Sequence, residues 1–295
     1  MIKIEQLRYV RLGTRDLSAC TRFAEHILGL EIVENDGGQA DFRSDYRDHT
    51  LVFSSHEDAN TIGLEVRDQE ALERAADELA ERGYEVSVGN AEQAARRKVK
   101  SFISFKAEAD LAVDLVVRPF HSGWRYFPSR DAGITGLEAI ALRSHSIGRS
   151  ESLWTQILSG RISDWIGDSS YIRFGCEHHS IALHPSKSSG VLAVEFAVES
   201  IDLIMQNNYF LEEQQVRIVH GPGRRPSSEQ LFLTFQGPEG VLFSFVCDGR
   251  AIDETSDQPR QFPRCAQSFC AWGSRSSAPE FATHESYAQP AGGQS

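Results

Sequence analysis

Four segments of this chain recur at a fixed interval. Leu7-Arg8-Tyr9-Val10 returns as Leu137-Glu138-Ala139-Ile140, and Ile27-Leu28-Gly29-Leu30-Glu31-Ile32 returns as Ile157-Leu158-Ser159-Gly160-Arg161-Ile162. Asp48-His49-Thr50-Leu51-Val52-Phe53 matches His178-His179-Ser180-Ile181-Ala182-Leu183, and Phe102-Ile103-Ser104-Phe105 matches Phe232-Leu233-Thr234-Phe235. The interval is about 130 residues each time, so the chain is one module written twice. Duplication narrows the choice of fold, because the arrangement that buries the apolar faces of one copy must also serve the other.

Each copy opens on a short strand (Leu7 to Leu12; Leu137 to Arg143). An amphipathic helix follows (Leu17 to Leu28; Glu151 to Leu158), with apolar residues at helical spacing. Three strands come next: Ala40 to Arg43, Thr50 to Ser54 and Thr61 to Val66 in the first copy, and Tyr171 to Phe174, Ser180 to His184 and Val191 to Val198 in the second. A helix (Gln69 to Arg82; Ile201 to Glu213) and a closing hairpin complete each copy. Strands outnumber helices. This predicts an α+β chain with curved, antiparallel-rich sheets and two βαβββ units in each half, not a doubly wound parallel sheet. The expected boundaries are 1–120 for the first domain, 136–249 for the second, which carries the site, and 250–295 for a C-terminal extension. Pro119, Gly123, Pro128 and Gly133 mark the linker. Beyond about Gly249 the composition turns to Ser, Pro, Gln and Gly. The stretch up to Gly273 is expected to pack on the second half and the remainder to be disordered.

Composition excludes several function classes. The chain is 40% hydrophobic and 24% charged and has no run long enough to span a membrane. Its start, MIKIEQLRYV, lacks an apolar signal segment, which places the chain in the cytoplasm. A net charge of −12, with no basic stripe, disfavours nucleic acid as a partner. Five cysteines without CxxC spacing suggest neither a disulfide framework nor a zinc knuckle.

The run Val191-Leu192-Ala193-Val194-Glu195-Phe196-Ala197-Val198 stands out in the second copy. It reads as a buried strand with Ala193, Glu195 and Ala197 on one face and Glu195 as its only charge. A carboxylate so placed must be paired, solvated in a pocket, or protonated.

The duplicated βαβββ plan carries Gly136-Leu137, Glu177-His178-His179-Ser180 and Pro238-Glu239-Gly240 near expected strand ends. In this it resembles the type I extradiol ring-cleavage dioxygenases of the vicinal oxygen chelate superfamily, which act on dihydroxybiphenyl and similar catechols. The likeness covers almost the whole chain, including Asn90 to Arg97 and Trp272-Gly273. It implies a barrel-like sheet in each half, an aromatic or ring-derived small-molecule substrate, and assembly into a homo-oligomer. In that family the second half holds Fe(II) with two His and one Glu on three strands. The matching positions here are Ala139, Ala193 and Ser244, so the resemblance implies a site without its metal ligands. The first half offers Tyr9, Thr61 and Asp114 in the equivalent places. A family histidine that follows a Gly-Arg pair falls within Gly223-Arg224-Arg225-Pro226, and a family tyrosine falls at Phe235. The family's acid/base histidine is matched by His179.

Strand alternation puts Ala139, Ala141 and Arg143 on one face, and Tyr171 with Arg173 on the opposing one. The expected pocket therefore holds His179 and Glu195 as catalytic groups and Arg173, Tyr171 and Arg143 as substrate-binding groups. Its small apolar walls are enlarged by the absence of the imidazoles. Histidine suits proton transfer near neutral pH, and a buried carboxylate has its pKa raised towards the same range. An arginine binds a substrate carboxylate or stabilises an enolate. Glu195 and Arg173 also read as a simple buried ion pair. The scattered His26, His121, His145, His184 and His220 read as structural. Three functions fit: a metal-independent enzyme using isomerase, lyase or hydrolase-like acid/base chemistry with no cofactor; a non-catalytic binding protein; and a ring-cleaving dioxygenase holding Fe2+ on unorthodox ligands. The first is the leading expectation.

Overall fold

A computed structural model of the chain describes residues 1–56 and 60–281. The first half contributes β1 (Gln6–Gly13), α1 (Leu17–Arg22), β2 (Glu31–Asn35), β3 (Gln39–Arg43), β4 (Leu51–Ser54), β5 (Thr61–Glu65), α2 (Gln69–Glu81), β6 (Val86–Val88), α3 (Ala91–Arg96), β7 (Val99–Glu108) and β8 (Leu111–Pro119). The second half contributes β9 (Ile134–Ser144), α4 (Ile147–Ser152), β10 (Arg161–Ile166), β11 (Ser169–Arg173), β12 (Ile181–Pro185), β13 (Gly190–Val198), α5 (Ile201–Glu213), β14 (Ile218–Arg224), β15 (Leu231–Gln236) and β16 (Leu242–Cys247). The extension adds β17 (Arg260–Phe262) and α6 (Ala266–Phe269).

The first sheet has the order β2-β3-β4-β1-β5-β8-β7-β6. Outward from the central antiparallel pair of β1 and β5, each side runs first, fourth, third, second strand of a βαβββ unit, so a two-fold repeat lies inside each half. The second sheet repeats this as β10-β11-β12-β9-β13-β16-β15-β14, with β17 joined to the outer edge of β10. Both are curved mixed sheets of the α+β class. The two long helices, α2 and α5, form where the periodicity predicts. In α2, Asp68 caps the N-terminus by accepting from Ala71 N (2.9 Å), and Leu72, Ala75 and Leu79 are buried at helical spacing. The expected helix from Leu17 to Leu28 continues past Arg22 in a wider turn over Phe23–Leu28. Its counterpart starts at Ile147, a turn earlier than Glu151, because Ile147 extends the apolar face onto the core.

One apolar core runs through both halves. Phe23 packs on Phe243 across them (centroids 5.1 Å), and Thr14 Oγ1 donates to Glu239 (2.9 Å). No helix among the described residues is long and apolar enough to cross a membrane.

The extension departs from expectation. Residues 274–281, predicted to be disordered, pack against the edge strand β14. There Ser277 N donates to Val219 O (2.9 Å) and Gly221 N donates to Ser274 Oγ (2.9 Å). An edge strand leaves backbone groups unpaired, and the tail satisfies them. The rest of that expectation, for 282–295, lies outside the described residues.

Candidate active site

Three adjacent strands bring Ala139, Glu195 and Ser244 into one row, Glu195 standing opposite Ala139 of β9 and Ser244 of β16. In the first half the same row holds Tyr9, Gly63 and Asp114. There the Tyr9 ring lies across Gly63, where an added Cβ would stand 2.3 Å from it, and the phenol donates to Asp114 Oδ2 (2.8 Å). Arg97 Nε binds the same oxygen (2.6 Å), so the first-half row is closed by its own side chains. In the second half, small residues flank Glu195 and leave room over it.

Glu195 is 3% exposed and is held by Arg225 in a two-point pair, with Nη1 to Oε2 at 2.8 Å and Nη2 to Oε1 at 2.6 Å. Arg225 also donates to Gln230 Oε1 (3.0 Å), and its guanidinium lies 5.0 Å from the Phe232 ring centroid. Burial pulls the Arg225 pKa down, but the Glu195 carboxylate more than offsets this and holds it above its ordinary value.

Beside this pair runs a chain of hydrogen bonds. Asp164, fully buried, accepts from Arg260 through N (2.9 Å), Nε (3.0 Å) and Nη2 (2.7 Å), and contacts His178 Nε2 (2.8 Å). Burial works to raise the Asp164 pKa, but the bonds from His178 and Arg260 leave it below the ordinary carboxylate range. Asp164 is therefore an anion at neutral pH and an acceptor only, so His178 donates to it from Nε2. Burial lowers His178 despite Asp164, so its ring is neutral and its Nδ1 is an acceptor. The 3.0 Å contact between His178 Nδ1 and His179 Nδ1 must then carry the proton of His179. That fixes the His179 tautomer. Its Nε2 is left as a buried lone pair with no hydrogen-bond partner among the described residues, 3.8 Å from Glu195 Oε2. Burial, followed by His178, Arg225 and His184, holds His179 well below its ordinary pKa.

His179 Nε2 faces a cavity of ≈ 20 Å³ whose walls include Tyr171, Ala182, His184, Glu195, His220 and Arg225. Room for about one water remains. The expected enlargement does not occur, and Ser268, Phe269 and Phe281 of the extension form part of the wall. Tyr171 meets the His179 ring edge-on (centroids 5.1 Å), and burial raises its phenol pKa.

Of the predicted site residues, His179, Glu195 and Tyr171 converge on this cavity. Arg173 does not. It shares a face with Tyr171, but at the strand end, where a bulge in β10 opposite lets its guanidinium bind Ile162 O and Ser163 Oγ (both 3.1 Å). The expected Arg173–Glu195 pair is therefore replaced by Arg225–Glu195. Arg143 does not line the cavity either; it lies beside it, donating from Nε to Glu280 (2.8 Å) and from Nη1 to Val191 O (3.1 Å). His184 and His220, read as scattered structural histidines, line the cavity. Burial pushes them down to about 3 and about 4 respectively. Sequence reasoning also missed Arg225, Asp164 and Arg260. Arg225 alone had a signal, since it falls at the family's histidine position.

No family model matches the chain. A biphenyl-2,3-diol 1,2-dioxygenase of Pseudomonas sp. (strain KKS102) is 26% identical over 201 residues, 62% of this chain and 68% of that protein. The solved structure of a halotolerant catechol dioxygenase superposes with a TM-score of 0.86 at 20% identity, covering 96% of this chain and 98% of that one. The Mn(II)-bound glyoxalase from Novosphingobium aromaticivorans gives 0.84 at 20% identity, over 96% and 95%. The fold is that of the vicinal oxygen chelate superfamily. Its ring-cleaving members imply iron at the positions matched by Ala139, Ala193 and Ser244, and the donors present do not fit it. Two of the three are methyl groups. The third, Ser244 Oγ, is hydrogen-bonded to Thr234 Oγ1 (2.8 Å), and the neighbouring Glu195 has both oxygens on Arg225. Among the described residues no three His, Cys, Asp or Glu side chains converge as a metal site.

Proposed function

We propose that this vicinal oxygen chelate chain is an extradiol dioxygenase-like enzyme that works without iron, by acid/base chemistry on an aromatic or ring-derived small molecule. The observation that carries this reading is the fixed tautomer of His179. Asp164 and His178 commit its Nδ1 proton and aim the Nε2 lone pair into the cavity, which is the arrangement of a general base oriented through its second nitrogen. Burial keeps that base weak, and an anion bound beside it strengthens it. Glu195 serves as the counter-ion that holds Arg225 at the cavity wall, and Arg225 faces negative charge as it develops on an enolate-like state. Tyr171, with its proton held by burial, completes the wall as a donor. Isomerase, lyase and hydrolase-like steps all begin with such a proton abstraction.

Deuterium wash-in tests this without a known product. Phenylpyruvate and 2-tetralone, two aryl-activated carbon acids, are incubated in D2O with the protein and followed by NMR. Exchange above the buffer rate is expected, falling about 10²- to 10⁴-fold in His179→Gln. Exchange that is unchanged in His179→Gln, or stoichiometric iron on the protein with O2 consumption on catechols, would overturn the reading.

A further inference from the structure

Two consecutive residues of the tail meet the second half beside this cavity: the Phe281 ring lines it, and the Glu280 carboxylate pairs with Arg143. Glu280 is 6% exposed although it lies in a segment predicted to be disordered. Its Oε1 accepts from Arg143 Nε (2.8 Å) and Ser186 Oγ (3.2 Å). Arg143 is itself steadied by its bond to Val191 O, so its guanidinium is set before any carboxylate arrives. The Phe281 ring packs edge-on against His184 (centroids 4.9 Å) and also contacts His220 (6.1 Å) and Phe269 (6.2 Å). The ring thus occupies a socket of two imidazoles and a phenyl, and the acid occupies an arginine and a hydroxyl beside it.

We propose that Glu280-Phe281 stands in for the ligand, and that the site takes an aromatic carboxylate. The ligand's ring takes the socket of His184, His220 and Phe269, its carboxylate takes Arg143 and Ser186, and the tail is expelled. This rests on reading the second-half barrel as the reaction chamber. Two observations favour exchange over a permanent plug. Glu280 Oε2 is buried with no hydrogen-bond partner among the described residues, so the tail carboxylate satisfies only one of its oxygens. The remaining ≈ 20 Å³ is also far below the order of 150 Å³ that an apolar cavity needs to hold a benzene ring, so an aromatic ligand enters only as Phe281 leaves. Arg143, Arg225 and Arg264 all face His184, so positive charge gathers beside the socket and favours an anion there, and Arg143 loses its partner Glu280 once the tail leaves.

The test measures binding of phenylacetate by calorimetry to the full chain and to the full-length Glu280→Gln/Phe281→Ala variant. At least tenfold tighter binding to the variant is expected, because the competing tail contacts are removed. Phenylacetamide, which lacks the charge, and acetate, which lacks the ring, should each bind at least tenfold more weakly than phenylacetate, and adding Arg143→Gln should abolish the preference for phenylacetate over phenylacetamide. On the unmodified chain, saturating phenylacetate should raise amide hydrogen exchange across 274–281, a readout that does not depend on the variant folding. Phenylacetate binding that is no tighter in the variant, is indifferent to Arg143→Gln, or leaves exchange at 274–281 unchanged overturns the proposal. Because binding is read without turnover, His179→Gln should bind phenylacetate as the parent does, so loss of proton abstraction and loss of this subsite are told apart.

Discussion

Lowering the pH should destabilise this chain through its buried histidines. His184 and His220 are held neutral in the fold at about 3 and about 4, in each case chiefly by burial. His184 faces Arg225, Arg264 and Arg143, and His220 faces Arg225 and bonds to Ser274 O. In the unfolded chain each imidazole titrates near pH 6.5, so between 6.5 and those lower values the unfolded state binds the extra protons. The stability they contribute is complete above pH 6.5 and is lost as pH falls. At pH 5 the loss depends almost only on the unfolded value and is about 2 kcal/mol per histidine, about 4 kcal/mol for the pair. His49, His178 and His179 are also lowered by burial and add in the same direction. Asp41, raised by burial to about 6, opposes them by about 1 kcal/mol at pH 5, and Glu138, also raised by burial, opposes them too. A net loss of roughly 3 kcal/mol or more is large against a domain stability of about 5–15 kcal/mol. Urea unfolding followed by circular dichroism at pH 7.5 and pH 5.0 measures it. The control is His220→Gln, whose amide can still donate to Ser274 O but does not titrate, and whose pH-dependent loss should shrink by about 2 kcal/mol. If that variant loses as much stability on acidification as the parent, the histidine account is wrong.

Arg225→Met should leave Glu195 buried without a cation and cost about 3–5 kcal/mol, most of it recovered by adding Glu195→Gln, as read from urea midpoints. Gly63→Ala should place a methyl against the Tyr9 ring and displace the Tyr9–Asp114 bond, costing about 1–3 kcal/mol and lowering the midpoint by calorimetry. Protein incubated anaerobically with ferrous ion and desalted should retain far less than one iron per chain by elemental analysis. Retention of one per chain would contradict the donor-set argument at Ala139, Ala193 and Ser244.

The sequence made the fold legible because duplication and strand alternation are local patterns. Val191 to Val198 reads as a buried strand from eight consecutive letters, and β13 is found at Gly190–Val198. The partner of Glu195 was not legible in the same way. Alternation placed Arg173 on the right face, but its side chain turns to Ile162 O and Ser163 Oγ at the bulge between Ile162 and Asp164 in β10, and bulges have no sequence mark here. Arg225 reaches Glu195 from β14–β15, thirty residues along, where only the fold brings the two together. The Asp164–His178–His179 chain was half visible, in the His-His pair. Asp164 drew no reading from the sequence, because its role depends on β17 pairing with β10 and on Arg260 binding its carboxylate.

The tail shows the same limit most sharply, and explains why the pocket was misjudged. Counting side chains in the row of Ala139, Glu195 and Ser244 predicts space, and the count is right as far as it goes. The space is bounded by Ser268, Phe269 and Phe281, all well beyond the last of that row, and Phe281 lies in a stretch whose Ser- and Pro-rich composition is that of unstructured chain. Composition estimates whether a segment can fold alone, and 274–281 does not fold alone. It is ordered by an existing surface: the open edge of β14 takes its backbone, Arg143 its acid and His184 its ring. A segment that gains order only from a site already built is also one that a better-fitting molecule can remove, so the feature least readable in the sequence is the one that bears on what the site accepts.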